Sequence, residues 1–407
     1  MKIYFADLHP CNTRKVNVRQ AHDFIESCDH EIVDKAELAE MIMVWGCEFR
    51  GDWRDFSYAV IKELQEKYPK AKMIYIGCTF GGEYVSKIES QLGITVVPWN
   101  DRSEKLEKVI NEHQKKLSDQ PLKLAEDKLV NSATEHRKTH PLDNVCFEDE
   151  YVKLSICEGC NNNCTYCSEK RMFPPFRSFP EDQLIKECKK SLEDSKTNQI
   201  MFLADSTGEY GRDIGSSVPQ LIRRLRGEIG NQVIVGMSQL NPEHFIKYEN
   251  EMIKLIEEGA ITYLNIPIQS ANDRILKSMR RNYTKEGIER VFRKFKKIGF
   301  ENFSTHLLLG YPGEKVEDVE ESIDFIVNFA PKHVVVSAFM THPSIPASLF
   351  PNQIDKKETD RRIQMCVDKF TEKDIKVAAD WGAVTNRIMN RIRHSVGLSL
   401  LEFQTIK

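Results

Sequence analysis

Short apolar runs alternate with stretches of helical periodicity along most of this chain, and that alternation confines it to folds built on parallel sheets. In a first series, strand-like runs at 2–8, 41–45, 73–76 and 94–97 are interleaved with helical segments at 13–28, 53–67, 83–92 and 102–117. A strand that feeds a helix returns to pair in parallel, because the crossover lays the helix on a face of the sheet. A second series places strands at 151–156, 199–204, 233–238, 263–268, 303–309 and 333–339, again with helices between them. The expected fold is α/β: an N-terminal open parallel βα domain followed by a partial (β/α)6 barrel.

Residues 118–148 are polar, contain Pro121 and Pro141, and lack periodicity, as a linker would. The expected domains are therefore 1–117, a linker at 118–148, the barrel at 149–370, and a short helical tail at 371–407. The tail carries a basic amphipathic stretch with Arg387, Arg391 and Arg393. A chain of 407 residues supports more than one core. No apolar run approaches the roughly 20 residues of a membrane helix, and Met1–Pro10 lacks the apolar stretch of a signal peptide, so no membrane partner and a cytoplasmic address are expected. A net charge of −3 gives little long-range attraction for a polyanion.

The chain has 11 cysteines, and in the reducing cytosol their commonest shared use is metal or cluster ligation. Three of them fall within eight residues as Cys160-Asn-Asn-Asn-Cys164-Thr-Tyr-Cys167, just after the first strand of the second series. Scattered at random, they would give this spacing in roughly one such chain in a hundred. Three thiolates on a four-iron cluster leave one iron open for a small ligand, whereas a structural zinc takes four protein ligands. Cys157, in Cys157-Glu-Gly-Cys160, offers that fourth ligand, so both uses are open from spacing alone. Cys11, Cys47 and Cys78 each follow a strand of the first series within a few residues, and strand ends of a parallel sheet share one ligand-binding edge.

A C-x3-C-x2-C run with an aromatic residue, Tyr166, before its last cysteine resembles the radical S-adenosylmethionine (radical SAM) superfamily. The N-terminal domain with three separated cysteines narrows the resemblance to the radical SAM methylthiotransferases. So do Glu158-Gly-Cys160-Asn-Asn, the segment 203–211, Pro267-Ile-Gln-Ser270, Lys277-x-Met279-x-Arg281-x-Tyr283-Thr284 and Gly310-Tyr-Pro-Gly-Glu314.

The resemblance implies two [4Fe-4S] clusters, one on Cys160, Cys164 and Cys167 and an auxiliary one on Cys11, Cys47 and Cys78. It also implies S-adenosylmethionine as cofactor, with Tyr166, Gln269, Ser270 and Arg281 near it or the substrate, and an electron donor such as flavodoxin or ferredoxin. One S-adenosylmethionine would supply a methyl group to sulfur at the auxiliary cluster, and another a 5′-deoxyadenosyl radical that activates a C–H bond. The product would be a methylthioether.

The chain departs from that pattern at His9-Pro10-Cys11, at Trp45-Gly-Cys47 and in 168–179, which lacks the family's Arg-Gly signature. The family's small all-β C-terminal domain, which grips tRNA or a ribosomal protein, does not fit in the 27 residues after Asp380. These departures and the acidic balance make a peptide or protein the expected substrate, with tRNA as the alternative. Two further alternatives are a radical SAM enzyme whose auxiliary cluster only relays electrons or binds substrate, and a non-catalytic metal or cluster scaffold.

Overall fold

The computed structural model describes residues 1–8, 14–48, 51–99, 102–110, 123–124, 151–342, 344–380, 389–390 and 392–399. The expected linker therefore lies almost wholly outside the described residues, as do Cys11, Arg387 and Arg391. The chain divides into two compact units.

The first unit is a five-stranded, all-parallel sheet. Its strands are β1 (Lys2–Asp7), β2 (Glu31–Val33), β3 (Met41–Cys47), β4 (Lys72–Cys78) and β5 (Thr95–Pro98), in the order β2-β1-β3-β4-β5. Helices α1 (Lys15–Ser27), α2 (Gly51–Lys67) and α3 (Glu83–Leu92) lie in the connections between strands, and α4 (Arg102–Val109) follows β5. β3 reads Met-Ile-Met-Val-Trp-Gly-Cys and is buried along its whole length, as a strand covered on both faces must be. The order reverses direction between β1 and β3, and such a switch point opens a crevice at the carboxyl ends of the strands.

Residues 168–175, 389–390 and 392–399 also belong to this unit. Met172, Phe173, Met389, Ile392, Val396 and Leu398 join its core, and the Arg14 guanidinium lies 3.4 Å above the Phe173 ring. Arg393, expected on a basic tail helix, is 2% exposed and forms a two-pronged ion pair with Glu63 at 2.7 and 2.6 Å. It is therefore not available to a phosphate.

The second unit is the barrel. Its parallel strands run in consecutive order: β6 (Val152–Ser155), β7 (Gln199–Leu203), β8 (Ile234–Met237), β9 (Ile261–Asn265), β10 (Phe303–Leu309), β11 (His333–Ala338) and β12 (Lys376–Asp380). β12 adds a strand to the six expected, pairing with β11 from His333↔Lys376 to Ser337↔Asp380. The first and last of these strands do not pair with each other, so the barrel stays partial.

The outer helices include α5 (Glu181–Ser195), α6 (Val218–Ile229), α7 (Glu249–Glu257), α8 (Asp273–Ser278), α9 (Lys285–Ile298), α10 (Val316–Phe329) and α11 (Lys356–Glu372). Four of them begin where a short polar side chain accepts from the free backbone N–H three residues on: Ser217, Asn272, Thr284 and Asp355. α9 packs its Phe292 and Phe295 onto Phe303 of β10, which leaves Ser304 and His306 on the opposite, inner face.

Candidate functional site

The loop carrying Cys160, Cys164 and Cys167 leaves β6 through Gly159, whose φ of 72° suits a residue without a Cβ. Two carboxylates from the segment after β7 tie the start of the loop. Gly159 N–H donates to Asp205 Oδ2 and Asn161 N–H to Glu209 Oε2, both at 2.9 Å. At its far end Thr165 is fixed by three elements. Its N–H donates to the Met279 carbonyl at 3.1 Å, its hydroxyl meets Tyr311 Oη at 2.8 Å, and its carbonyl accepts from Ala347 N–H at 2.9 Å. The thiol-bearing stretch is thus held at both ends through its backbone and the Thr165 hydroxyl.

Burial separates the cysteines sharply. Among the described residues, Cys160, Cys164 and Cys167 are part-exposed, while Cys28, Cys47, Cys78, Cys157, Cys188 and Cys366 are buried. Cys157 donates its thiol to the Ser206 carbonyl at 3.7 Å, and burial pushes its pKa well up, so it stays a protonated thiol. Nor do the three motif sulfurs crowd together as one ion requires. Among the described residues, the single set of three or more His, Cys, Asp or Glu ligand atoms within 4.8 Å of one another is His22, Asp23 and Glu26. Thiolates on one zinc sit about 3.8 Å apart, as Zn–S bonds of about 2.3 Å in a tetrahedron dictate. Cys157, turned to the Ser206 carbonyl, stands apart from the three part-exposed thiols of the motif.

The surroundings supply positive charge and N–H donors to the sulfurs. Asn162 Nδ2 reaches Cys160 Sγ at 3.3 Å, and Arg281 Nη1 reaches Cys164 Sγ at 3.5 Å. Tyr166 packs, half-buried, against the cluster of Ile275, Met279, Tyr311, Ile345 and Ala347, and burial holds its phenol well above the usual range. Gln269 adopts φ 65°, a strained conformation for a non-glycine residue, and carries the β9 edge onward by pairing with β10: its N–H donates to His306 O and its carbonyl accepts from Leu308 N–H. Its side-chain amide has no partner among the described residues. Ser270 is 3% exposed, and its hydroxyl accepts from Asn272 N–H, a turn-building role.

The interior also holds a polar ladder that the sequence did not reveal. Asn265 Oδ1 accepts from Gln239 N–H, which orients the amide so that Nδ2 donates to Ser304 Oγ at 2.7 Å and His306 Nε2 at 3.0 Å. A neutral His306 therefore carries its proton on Nδ1. Burial lowers His306 to about 4, and lowers His244 and His333 to about 4 as well, the latter two helped by nearby cations. An imidazole near 6.5 unfolded and near 4 folded costs no stability above about pH 6.5. Stability is lost as pH falls from there toward 4, because the unfolded chain takes up protons that the folded one refuses. In histidine-labelled protein, ring nitrogen shifts at pH 5 should show these three imidazoles neutral; three protonated rings would contradict the burial argument.

In the first unit, Cys47 and Cys78 end β3 and β4 in direct register, Cys47↔Cys78, with Gly46↔Gly77 before them. A Cβ on Gly46 would lie 2.2 Å from the Tyr75 ring, so the close approach needs glycine. Glu48, fully buried, donates its N–H to the Cys78 carbonyl and accepts from the Tyr58 and Thr79 hydroxyls at 2.8 Å, while burial pushes its carboxyl up to about 7. β1, whose continuation carries Cys11, is the other neighbour of β3. The structure thus brings Cys47 and Cys78 together at the carboxyl ends of β3 and β4, next to the switch point between β1 and β3; Cys11 lies outside the described residues.

The sequence profile of the radical SAM superfamily matches residues 154–326. This stretch is a radical SAM domain. A domain of this class implies a [4Fe-4S] cluster and S-adenosylmethionine as cofactors. The chain is 28% identical over 341 residues to a human threonylcarbamoyladenosine tRNA methylthiotransferase, covering 81% of this chain and 56% of that protein. It is 28% identical over 332 residues to a probable enzyme of the same name from Pyrococcus horikoshii, covering 78% of this chain and 72% of that one. This chain spans little more than half the length of the human relative.

Among solved structures, the radical S-adenosylmethionine methyltransferase TsrM from Kitasatospora setae superposes with a TM-score of 0.58 at 12% identity, covering 86% of this chain and 75% of that one. The cobalamin-dependent radical enzyme OxsB gives 0.53 at 10% identity, covering 98% and 62%. Both share the fold. The relatives' names specify tRNA, so the expectation of a peptide substrate finds no support among them. No described helix is long and apolar enough to cross a membrane.

Proposed function

We propose that this radical SAM protein is a tRNA methylthiotransferase that acts on a modified adenosine, replacing an unactivated C–H hydrogen by a methylthio group. The observation that carries the reading is the pairing of Cys47 with Cys78 at the carboxyl ends of adjacent parallel strands, in a chain that also holds the part-exposed Cys160, Cys164 and Cys167. The relatives that align with four-fifths of the chain support the substrate class by their names.

In this reading Cys160, Cys164 and Cys167 hold the cluster that binds S-adenosylmethionine, and Cys11, Cys47 and Cys78 hold the auxiliary one. Bound there, the two clusters and S-adenosylmethionine supply radical formation, sulfur and methyl. The chain's own work is positional. Asp205 and Glu209 fix the cluster loop through its amides, Thr165 ties its far end to Met279 and Tyr311, and Tyr166 walls one side. Gln269, with its free amide on a strained backbone, is placed to accept a contact from the cofactor or substrate.

The test is the fate of S-adenosylmethionine. Anaerobically reconstituted protein given tRNA and a reductant should form 5′-deoxyadenosine and S-adenosylhomocysteine in equal amounts per modified nucleoside. An auxiliary cluster that only relays electrons would yield 5′-deoxyadenosine without S-adenosylhomocysteine, and that result would reject methyl transfer.

A further inference from the structure

We propose that Arg281 is a positioning residue that raises the reduction potential of the cluster held by Cys160, Cys164 and Cys167, by placing a cation with an N–H donor against the Cys164 sulfur. The inference rests on those cysteines holding the cluster, and it adds a role for a group outside the ligand set.

A guanidinium drawn into a protein interior is normally matched by a carboxylate, because an unmatched charge is costly to take out of water. Arg281 breaks that pattern. Its Nε donates to Tyr283 Oη at 2.7 Å, its Nη2 to the Pro267 carbonyl at 3.0 Å and its Nη1 to Cys164 Sγ at 3.5 Å. No carboxylate among the described residues stands within ion-pair distance of it. The anion it faces is therefore the cysteine sulfur, which becomes a thiolate when it binds iron.

The guanidinium is also held in place. Tyr283 accepts from Nε and its hydroxyl donates to the Ile268 carbonyl at 2.9 Å, while the Arg281 carbon Cζ lies 4.9 Å from the Tyr283 ring centroid. Two of the three directions of the planar fork are fixed on protein oxygens, and the remaining one points at sulfur. A lysine in this place would offer a point charge with no such fork.

The consequence follows from charge. Three thiolates and the iron-sulfide core carry net negative charge, and taking up one electron adds another negative unit. A nearby cation and an N–H···S bond stabilise the reduced form more than the oxidised form, so the potential rises. A one-electron donor of the flavodoxin or ferredoxin class, or dithionite in the laboratory, then reduces the cluster more readily.

The experiment is a reductive titration of the reconstituted full chain followed by electron paramagnetic resonance, reading the signal that changes when S-adenosylmethionine is added. That signal in the unaltered protein verifies the cluster assignment independently of Arg281. At a fixed potential, Arg281→Met should lower the reduced-to-oxidised ratio at least tenfold, about 59 mV for one electron. Arg281→Lys, which keeps the charge, should recover part of the loss. A Met variant with full iron content and an unchanged ratio would overturn the proposal. Should the Met variant fail to take up iron, Arg281→Lys decides: a ratio lowered about threefold supports the role, and an unchanged one overturns it.

Discussion

Replacing Cys160, Cys164 and Cys167 together by alanine should reduce 5′-deoxyadenosine formation to the level seen without protein, while leaving the barrel folded. Chemistry and packing separate cleanly here. The three thiols are part-exposed, and the loop that bears them is held through Asp205, Glu209, Met279 and Ala347 rather than through sulfur. Trimming side chains that contribute little to a core changes stability by about 0.5 kcal/mol or less at each site. Thermal unfolding of the iron-free triple variant should therefore match that of iron-free parent protein. Its reconstituted form should lack about four irons. Retained cleavage of S-adenosylmethionine would move the cofactor to another site.

The second large effect lies in the other unit. Cys47→Ala with Cys78→Ala should lower reconstituted iron from about eight to about four per chain. The variant should keep cleaving S-adenosylmethionine, since the part-exposed cysteines are untouched, and should lose the methylthio product. Both residues are buried, at 5% and 2% exposure, so this variant costs some stability, on the order of 1 kcal/mol. The retained 5′-deoxyadenosine signal tells a loss of the auxiliary site from a loss of the fold. Normal methylthio product would remove Cys47 and Cys78 from sulfur transfer.

How far the sequence disclosed this molecule depends on the range of the interaction. The cysteine motif is legible because its residues are neighbours along the chain, and the parallel strands are legible because their apolar runs are continuous, as in β3. β2 has three residues and β12 reads Lys-Val-Ala-Ala-Asp, so neither leaves an apolar run that stands out. Arg393 looked like a solvent-facing cation because its partner, Glu63, is 330 residues away. The return of Met172 and Phe173 to the first core is likewise a long-range contact.

The same limit applies to the site. The segment 203–211 stood out as a unit, but that Asp205 and Glu209 tie the amides of Gly159 and Asn161 is a fact of three dimensions. The tautomer of His306 follows from Asn265, 41 residues earlier, and had no local signal. Arg281 was visible as a motif residue; that its fork ends on Cys164, 117 residues before it, was not.

The most direct test of the account is the nucleoside composition of tRNA after reaction. Reconstituted protein, S-adenosylmethionine and reductant are incubated anaerobically with tRNA bearing threonylcarbamoyladenosine, and in parallel with a peptide library, and the digests are weighed by mass spectrometry. The expected product is an adenosine-derived nucleoside heavier by a methylthio group in place of hydrogen, absent when Cys47 and Cys78 are alanine, with the peptides unchanged. A methylthio group on a peptide, and none on tRNA, would contradict it.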